Sequence, residues 1–132
     1  METIEKNRTP IRSYRDLNVW KAAMELVCEV YEVTRNFPDT ERYALTSQMR
    51  RCAISVPSNI AEGWSRNSAR SFISYLNIAS GSMSELMTQL EIARRINYIS
   101  AERMQALEHR GIQISKMLYM LIKKIESRSN TK

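Results

Sequence analysis

Apolar residues recur along this chain at steps of three and four, in four blocks parted by short polar breaks, the spacing of amphipathic helices. In the first block Leu17, Trp20, Met24, Val27, Cys28, Tyr31 and Thr34 predict a helix over about 17–36. Asp16 is its expected N-cap, since a carboxylate there can accept from free backbone N–H groups. Asn-Phe-Pro-Asp-Thr, 36–40, reads as the connection. A second helix is expected from Thr40–Arg42 to Gly63, with Leu45, Met49, Cys52, Val56 and Ile60 spread over about 80° as its core face. Gly63 is the expected terminal residue. Ser68 caps a third helix to about Tyr98, with Phe72, Leu76, Ala79, Met83, Leu86, Met87 and Leu90 inward. Ser100 caps a fourth over about 101–126, with Met104, Leu107, Gly111, Ile114, Leu118, Leu121 and Ile125 inward.

Four helices with short connections predict an all-α, antiparallel up-and-down four-helix bundle. Residues 14–127 form this domain, 1–13 a flexible N-terminal arm and 128–132 a polar basic tail. Only three Gly and three Pro interrupt 132 residues, which leaves room for long helices. Ile73, Ile78 and Ile92 fall outside the main stripe of the third helix, more apolar surface than one bundle needs, which points to self-association. Gly81 lies mid-helix, where glycine costs about 1 kcal/mol relative to alanine, and a close helix–helix approach is the expected reason.

Charge adds a second layer. The chain carries a formal net charge of +6, unevenly spread. Arg42, Arg50, Arg51, Arg66 and Arg70 outnumber Glu62 in 42–70, and 110–132 is similarly basic, whereas 22–41 is acidic. Arg50, Arg66, Arg70, Arg94, Arg95, Lys116, Lys123, Lys124 and Arg128 are candidate phosphate contacts, with Trp64 or Tyr98 available to stack on bases. The same asymmetry suits complementary subunit contacts.

Beside the core face of the second helix runs a polar stripe of Gln48, Arg51, Ser55, Asn59 and Glu62. Arg51 and Glu62 lie three turns apart, roughly 16 Å, so each needs a partner elsewhere. Ser82 and Glu85 on the third helix, and Arg66 or Arg70 near the turn, complete an expected half-buried interhelical network. Pro57 removes the bond to the Ala53 carbonyl and predicts a kink. No apolar run is long enough to span a membrane, no signal-peptide region is evident, and the expected location is the cytoplasm. Cys28 and Cys52 read as reduced core thiols. With one His and no ligand spacing, no metal or cofactor is expected. Catalysis is not expected either; its one opening is an acid–base pair of Glu62 and Glu85.

L-T-S-Q-M-R-R-C-A-I-S-V-P-S-N-I-A-E-G, 45–63, with S-F-I-S-Y-L-N-I-A-S-G-S-M-S-E-L, 71–86, resembles the four-helix-bundle family encoded by intervening sequences of bacterial 23S ribosomal RNA genes. Y-R-D-L-N-V-W-K-A-A, 14–23, and T-Q-L-E-I-A, 88–93, extend the likeness over about 14–125. The resemblance implies a ring-shaped homopentamer. It extends distantly to the accessory variability determinants of diversity-generating retroelements, which work with a reverse transcriptase and RNA. Its motif positions fall on Gln48, Arg51, Ser55, Pro57, Asn59, Glu62, Gly63, Gly81, Ser82 and Glu85, none of them an established catalytic residue. Ser71 and Met87 depart from the family pattern, where acidic residues are common, and make the third helix less acidic. The expected function is therefore non-enzymatic RNA or DNA binding by a homo-oligomer. The alternative is a scaffold for a protein partner such as a reverse transcriptase.

Overall fold

A computed structural model describes residues 10–130, with backbone alone at Asn130. Four helices follow one another: α1 (Asn18–Thr34), α2 (Leu45–Trp64), α3 (Ala69–Arg95) and α4 (Ala101–Asn130). They pack in sequence order, α1 on α2, α2 on α3, α3 on α4, with α4 closing back on α1. There is no strand among the described residues.

Burial follows the expected stripes of α2, α3 and α4. Met49, Cys52, Val56 and Ile60 from α2, Phe72, Leu76, Met83 and Leu86 from α3, and Ile114, Leu118 and Leu121 from α4 meet in one core. In α1 the buried face is largely different, and of the expected stripe only Leu17, just before the helix, and Thr34 are buried. Val19, Ala23, Leu26, Val30 and Val33 point inward, while Met24 and Cys28 are exposed and Trp20, Val27 and Tyr31 are half-buried. The inward face lies about 100° around the helix from the expected one. Compact aliphatic side chains fill the interior, and the rings stay at the rim where cations reach them. Arg15 lies 5.9 Å from the Trp20 centroid and Arg50 lies 4.4 Å from that of Tyr31.

Helix ends also depart from expectation. Asp16 does not cap α1. It closes a capping box with Ser13 around the 3-10 turn Tyr14–Asp16, accepting from the backbone N–H of Arg12 and Ser13 at 2.9 and 3.2 Å. Those bonds hold its carboxyl below the usual range. Part of the expected arm is therefore ordered: Ile11 is buried in the core, whereas residues 1–9 lie outside the described residues. A 3-10 turn, Asp39–Glu41, delays α2 to Leu45. Ser68 and Ser100 cap as expected, accepting from the N–H of Ser71 and Arg103, each at 3.1 Å. α3 stops at Arg95 because Asn97 takes φ of 69°. Tyr98 N–H then donates to Ala93 O and Asn97 N–H to Arg94 O, a left-handed closure usually made by glycine. The basic tail is shorter than expected, since α4 continues through 128–130 and only residues 131–132 lie outside the described residues.

α2 is helical on both sides of Pro57, which is buried. Gly63 does not end the helix. It lies inside α2, buried, where a Cβ would sit 2.8 Å from Tyr75 Cβ and 3.2 Å from the Phe72 carbonyl oxygen. Its missing side chain is what lets α3 approach. Gly81 is the reverse case: among the described residues nothing beyond its own stretch of helix lies within 4 Å of an added Cβ, so no close approach between these helices accounts for it.

Candidate nucleic-acid interface

The polar stripe of α2 divides in two. Its middle forms a seam against α3, where Ser55 Oγ and Ser82 Oγ lie 2.8 Å apart and Asn59 Nδ2 donates to Ser55 O and Oγ at 2.8 and 2.9 Å. Cys52, absent from the expected network, joins this seam by directing its thiol at Ser82 O, 3.1 Å away. Burial and the negative charge of the Glu85 carboxylate push the Cys52 thiol up to about 12. Its folded value is above the ordinary one, so the protonated thiol favours the fold. That contribution is fully present below about pH 9 and is lost as the pH rises toward 12. Iodoacetamide at neutral pH should therefore label exposed Cys28 in the folded protein and leave Cys52 unmodified, as read by intact mass. Labelling of both thiols at similar rates would contradict this seam.

The ends of the stripe are open. Gln48 and Arg51 are exposed, and Arg51 makes no ion pair among the described residues, so it is not the half-buried, paired group the sequence predicts. Glu62, half exposed, pairs with Arg66 at 2.7 Å. The Arg66 Nη2 also donates to Tyr75 Oη at 2.7 Å. Glu62 thus sits level with Tyr75, and Glu85 level with Cys52. Ten residues of helix, roughly 15 Å, separate the two levels. The two carboxylates do not converge, and no cluster of metal-ligating side chains occurs among the described residues.

The nine candidate cations fall into three groups. Arg50 belongs to the packing: Nε donates to Thr34 Oγ1 at 2.9 Å and Nη2 to Tyr31 O at 3.4 Å, tying α2 to the last turn of α1. It is not a surface contact for phosphate. Arg94 and Arg95 lie at the end of α3, with Arg95 on Glu91 at 2.9 Å. The other six, Arg66, Arg70, Lys116, Lys123, Lys124 and Arg128, gather in the opposite half of the bundle. Tyr98 is also withdrawn from base stacking. Its hydroxyl donates to Glu41 Oε2 at 2.9 Å, which raises its pKa, and its ring packs on Phe37.

Antiparallel topology turns this grouping into an axial separation of charge. The half built from 10–23, 56–78 and 114–130 holds Arg12, Arg15, Lys21, Arg66, Arg70, Lys116, Lys123, Lys124 and Arg128 against Asp16, Glu62 and Glu126, a balance of +6. The half built from 24–55 and 79–113 comes to −1. In that second half opposite charges nearly balance, and two arginines pair across helices. Arg103 meets Glu32 at 3.2 Å, and Arg110 meets Glu25 at 2.9 Å and Glu29 at 2.6 Å. The Arg110 clamp escaped sequence reading, because its partners lie 85 and 81 positions away.

Two concavities open at the basic end. One, of about 560 Å³, is floored by Leu17, Val19, Met117, Met120 and Leu121 and rimmed by Lys116, Lys123 and Lys124. The other, of about 330 Å³, lies between the α2–α3 turn and the last turns of α4. Trp64, half-buried and edge-on to Phe72 at 6.1 Å, forms part of its wall.

No curated protein matches the chain. Among solved structures it is similar to a protein of unknown function from the S23 ribosomal protein family of Bacteroides thetaiotaomicron, with a TM-score of 0.74 and 25% identity over 80% of this chain and 95% of that one. The model of the 23S rRNA-intervening sequence protein family matches residues 15–120. With four packed helices under both likenesses, the chain belongs to the 23S rRNA-intervening sequence protein family.

Proposed function

We propose that this is a non-enzymatic, cytoplasmic nucleic-acid-binding protein that holds RNA, or DNA, against the basic end of its bundle. The observation that carries this reading is the axial separation of charge, with +6 in one half and near balance in the other. A phosphate backbone gains most where cations outnumber carboxylates, as they do at this end even with Arg66 paired to Glu62 and Lys123 to Glu126. Mobility shifts at low salt with structured RNA and with DNA test it. Arg70→Glu with Lys116→Glu should weaken binding at least about tenfold, while Arg94→Glu with Arg95→Glu should leave it nearly unchanged. Equal losses from both pairs, or no binding by the parent chain, would end the reading.

Self-association belongs to the same proposal, with the homopentameric ring as the assembly carried over from the family resemblance. Ile78, Gly81, Glu85, Thr88 and Ile92 share the face of α3 turned away from the core, and Ile78 and Ile92 are 50% and 45% exposed. A second copy lying along this face supplies the close approach at Gly81 that the monomer lacks. The scaffold reading, with a protein partner such as a reverse transcriptase, draws on the larger lysine-rimmed groove. It differs in predicting a protein contact that survives high salt.

A further inference from the structure

We infer that the cleft between the α2–α3 turn and the end of α4 is a seat for an unpaired nucleotide of single-stranded RNA or DNA; this rests on the nucleic-acid reading above and names the form of polymer it prefers. The cleft, about 330 Å³, falls in the size range of small-ligand sites. Its lining joins two kinds of surface that a nucleotide needs together. Trp64, Phe72 and Ile125 give an apolar wall, and Arg66, Lys124 and Arg128 stand around it, with the Glu62 carboxylate that pairs with Arg66 outside the lining. Phe72 and Ile125 are almost fully covered, so Trp64 is the ring available to a base.

Arg66 is prepared for an anion. Its Nη2 bonds to Glu62 and Tyr75, and its guanidinium lies 5.0 Å from the Tyr75 centroid, which fixes the plane of the fork. Nε and Nη1 make no hydrogen bond among the described residues and remain for phosphate oxygens. A duplex offers such a cleft phosphates only, since its bases are stacked inside. A single strand offers a base face and a phosphate together. An acidic peptide would satisfy the cations and leave the indole unused.

The full chain carries two tryptophans, Trp20 and Trp64, so Trp20→Phe makes Trp64 the sole reporter. A short single-stranded RNA should quench its emission and bind roughly tenfold more tightly than a blunt duplex of the same sequence. Lys124→Glu should remove most of that preference, and poly-glutamate should compete poorly. A single strand that binds without changing Trp64 emission, a duplex that binds as tightly, or poly-glutamate that competes equally well would overturn the cleft while leaving general binding at the basic end intact. Failure of both RNAs to bind at low salt would instead remove the nucleic-acid reading on which the cleft rests. If Trp20→Phe does not fold, the parent chain and Trp64→Phe give the same comparison by difference.

Discussion

Gly63→Ala should destabilise the protein by about 2–3 kcal/mol, although alanine is intrinsically about 1 kcal/mol better than glycine inside a helix. The added methyl would lie 2.8 Å from Tyr75 Cβ, 2.9 Å from Phe72 Cδ1 and 3.2 Å from the Phe72 carbonyl oxygen. A Cβ and a backbone oxygen cannot swing aside, so α2 and α3 must separate at this contact. For a chain of this size the melting temperature should fall by roughly 10 °C. The other glycines provide the comparison. At Gly111 the nearest atoms are the sulfur and terminal methyl groups of Met87 and Met83, flexible ends that can move, so alanine there should cost much less. At Gly81 the space is open, and alanine in the dilute chain should gain up to about 1 kcal/mol. Thermal melts of the three variants should rank Gly63 lowest and Gly81 highest. A Gly63→Ala protein melting at or above the parent would show that α2 and α3 are not in this contact.

Affinity for a single strand should fall about fiftyfold for a fourfold rise in salt. Neutralising four phosphates with Arg66, Arg70, Lys124 and Arg128 gives a log–log slope near −3, because each neutralised phosphate returns its condensed counterions to solution. Lys124→Glu should make that slope shallower by more than one contact, since reversal both removes a cation and repels a phosphate. Filter binding across a salt series measures both quantities. A slope near zero would assign the basic end to contacts other than phosphate.

The periodicity of the chain located all four helices, and in α2, α3 and α4 it also identified the buried side. In α1 only Leu17 and Thr34 of the expected stripe are buried, because two neighbouring stripes there are about equally apolar. Spacing cannot tell whether Val19-Ala23-Leu26-Val30 or Trp20-Met24-Val27-Tyr31 faces inward; packing volume decides that. The stop at Asn97 is not legible in the sequence, because an asparagine in the left-handed region leaves no pattern beyond its own occurrence. Cys52 reads as a small hydrophobe in the sequence, and only the approach of α3 brings Ser82 O to its thiol. The basic clusters were legible as local excesses of charge. Their common position was not, since three stretches distant in sequence become neighbours only once the helices alternate in direction. Arg50 shows the converse: a cation counted as surface until Tyr31 and Thr34 claim it.

The uneven ends of the bundle also constrain any closed ring the chain builds. Rotation about a single axis copies every protomer to the same radius and height, so the cationic ends must gather at one level and cannot alternate. Such a ring would meet a strand with several equivalent footholds at once. Weak seats then act together through effective concentration, and a strand released from one protomer is recaptured by the next before it can diffuse away. Avidity would follow from the orientation of the subunits alone, with no new contact between protein and strand.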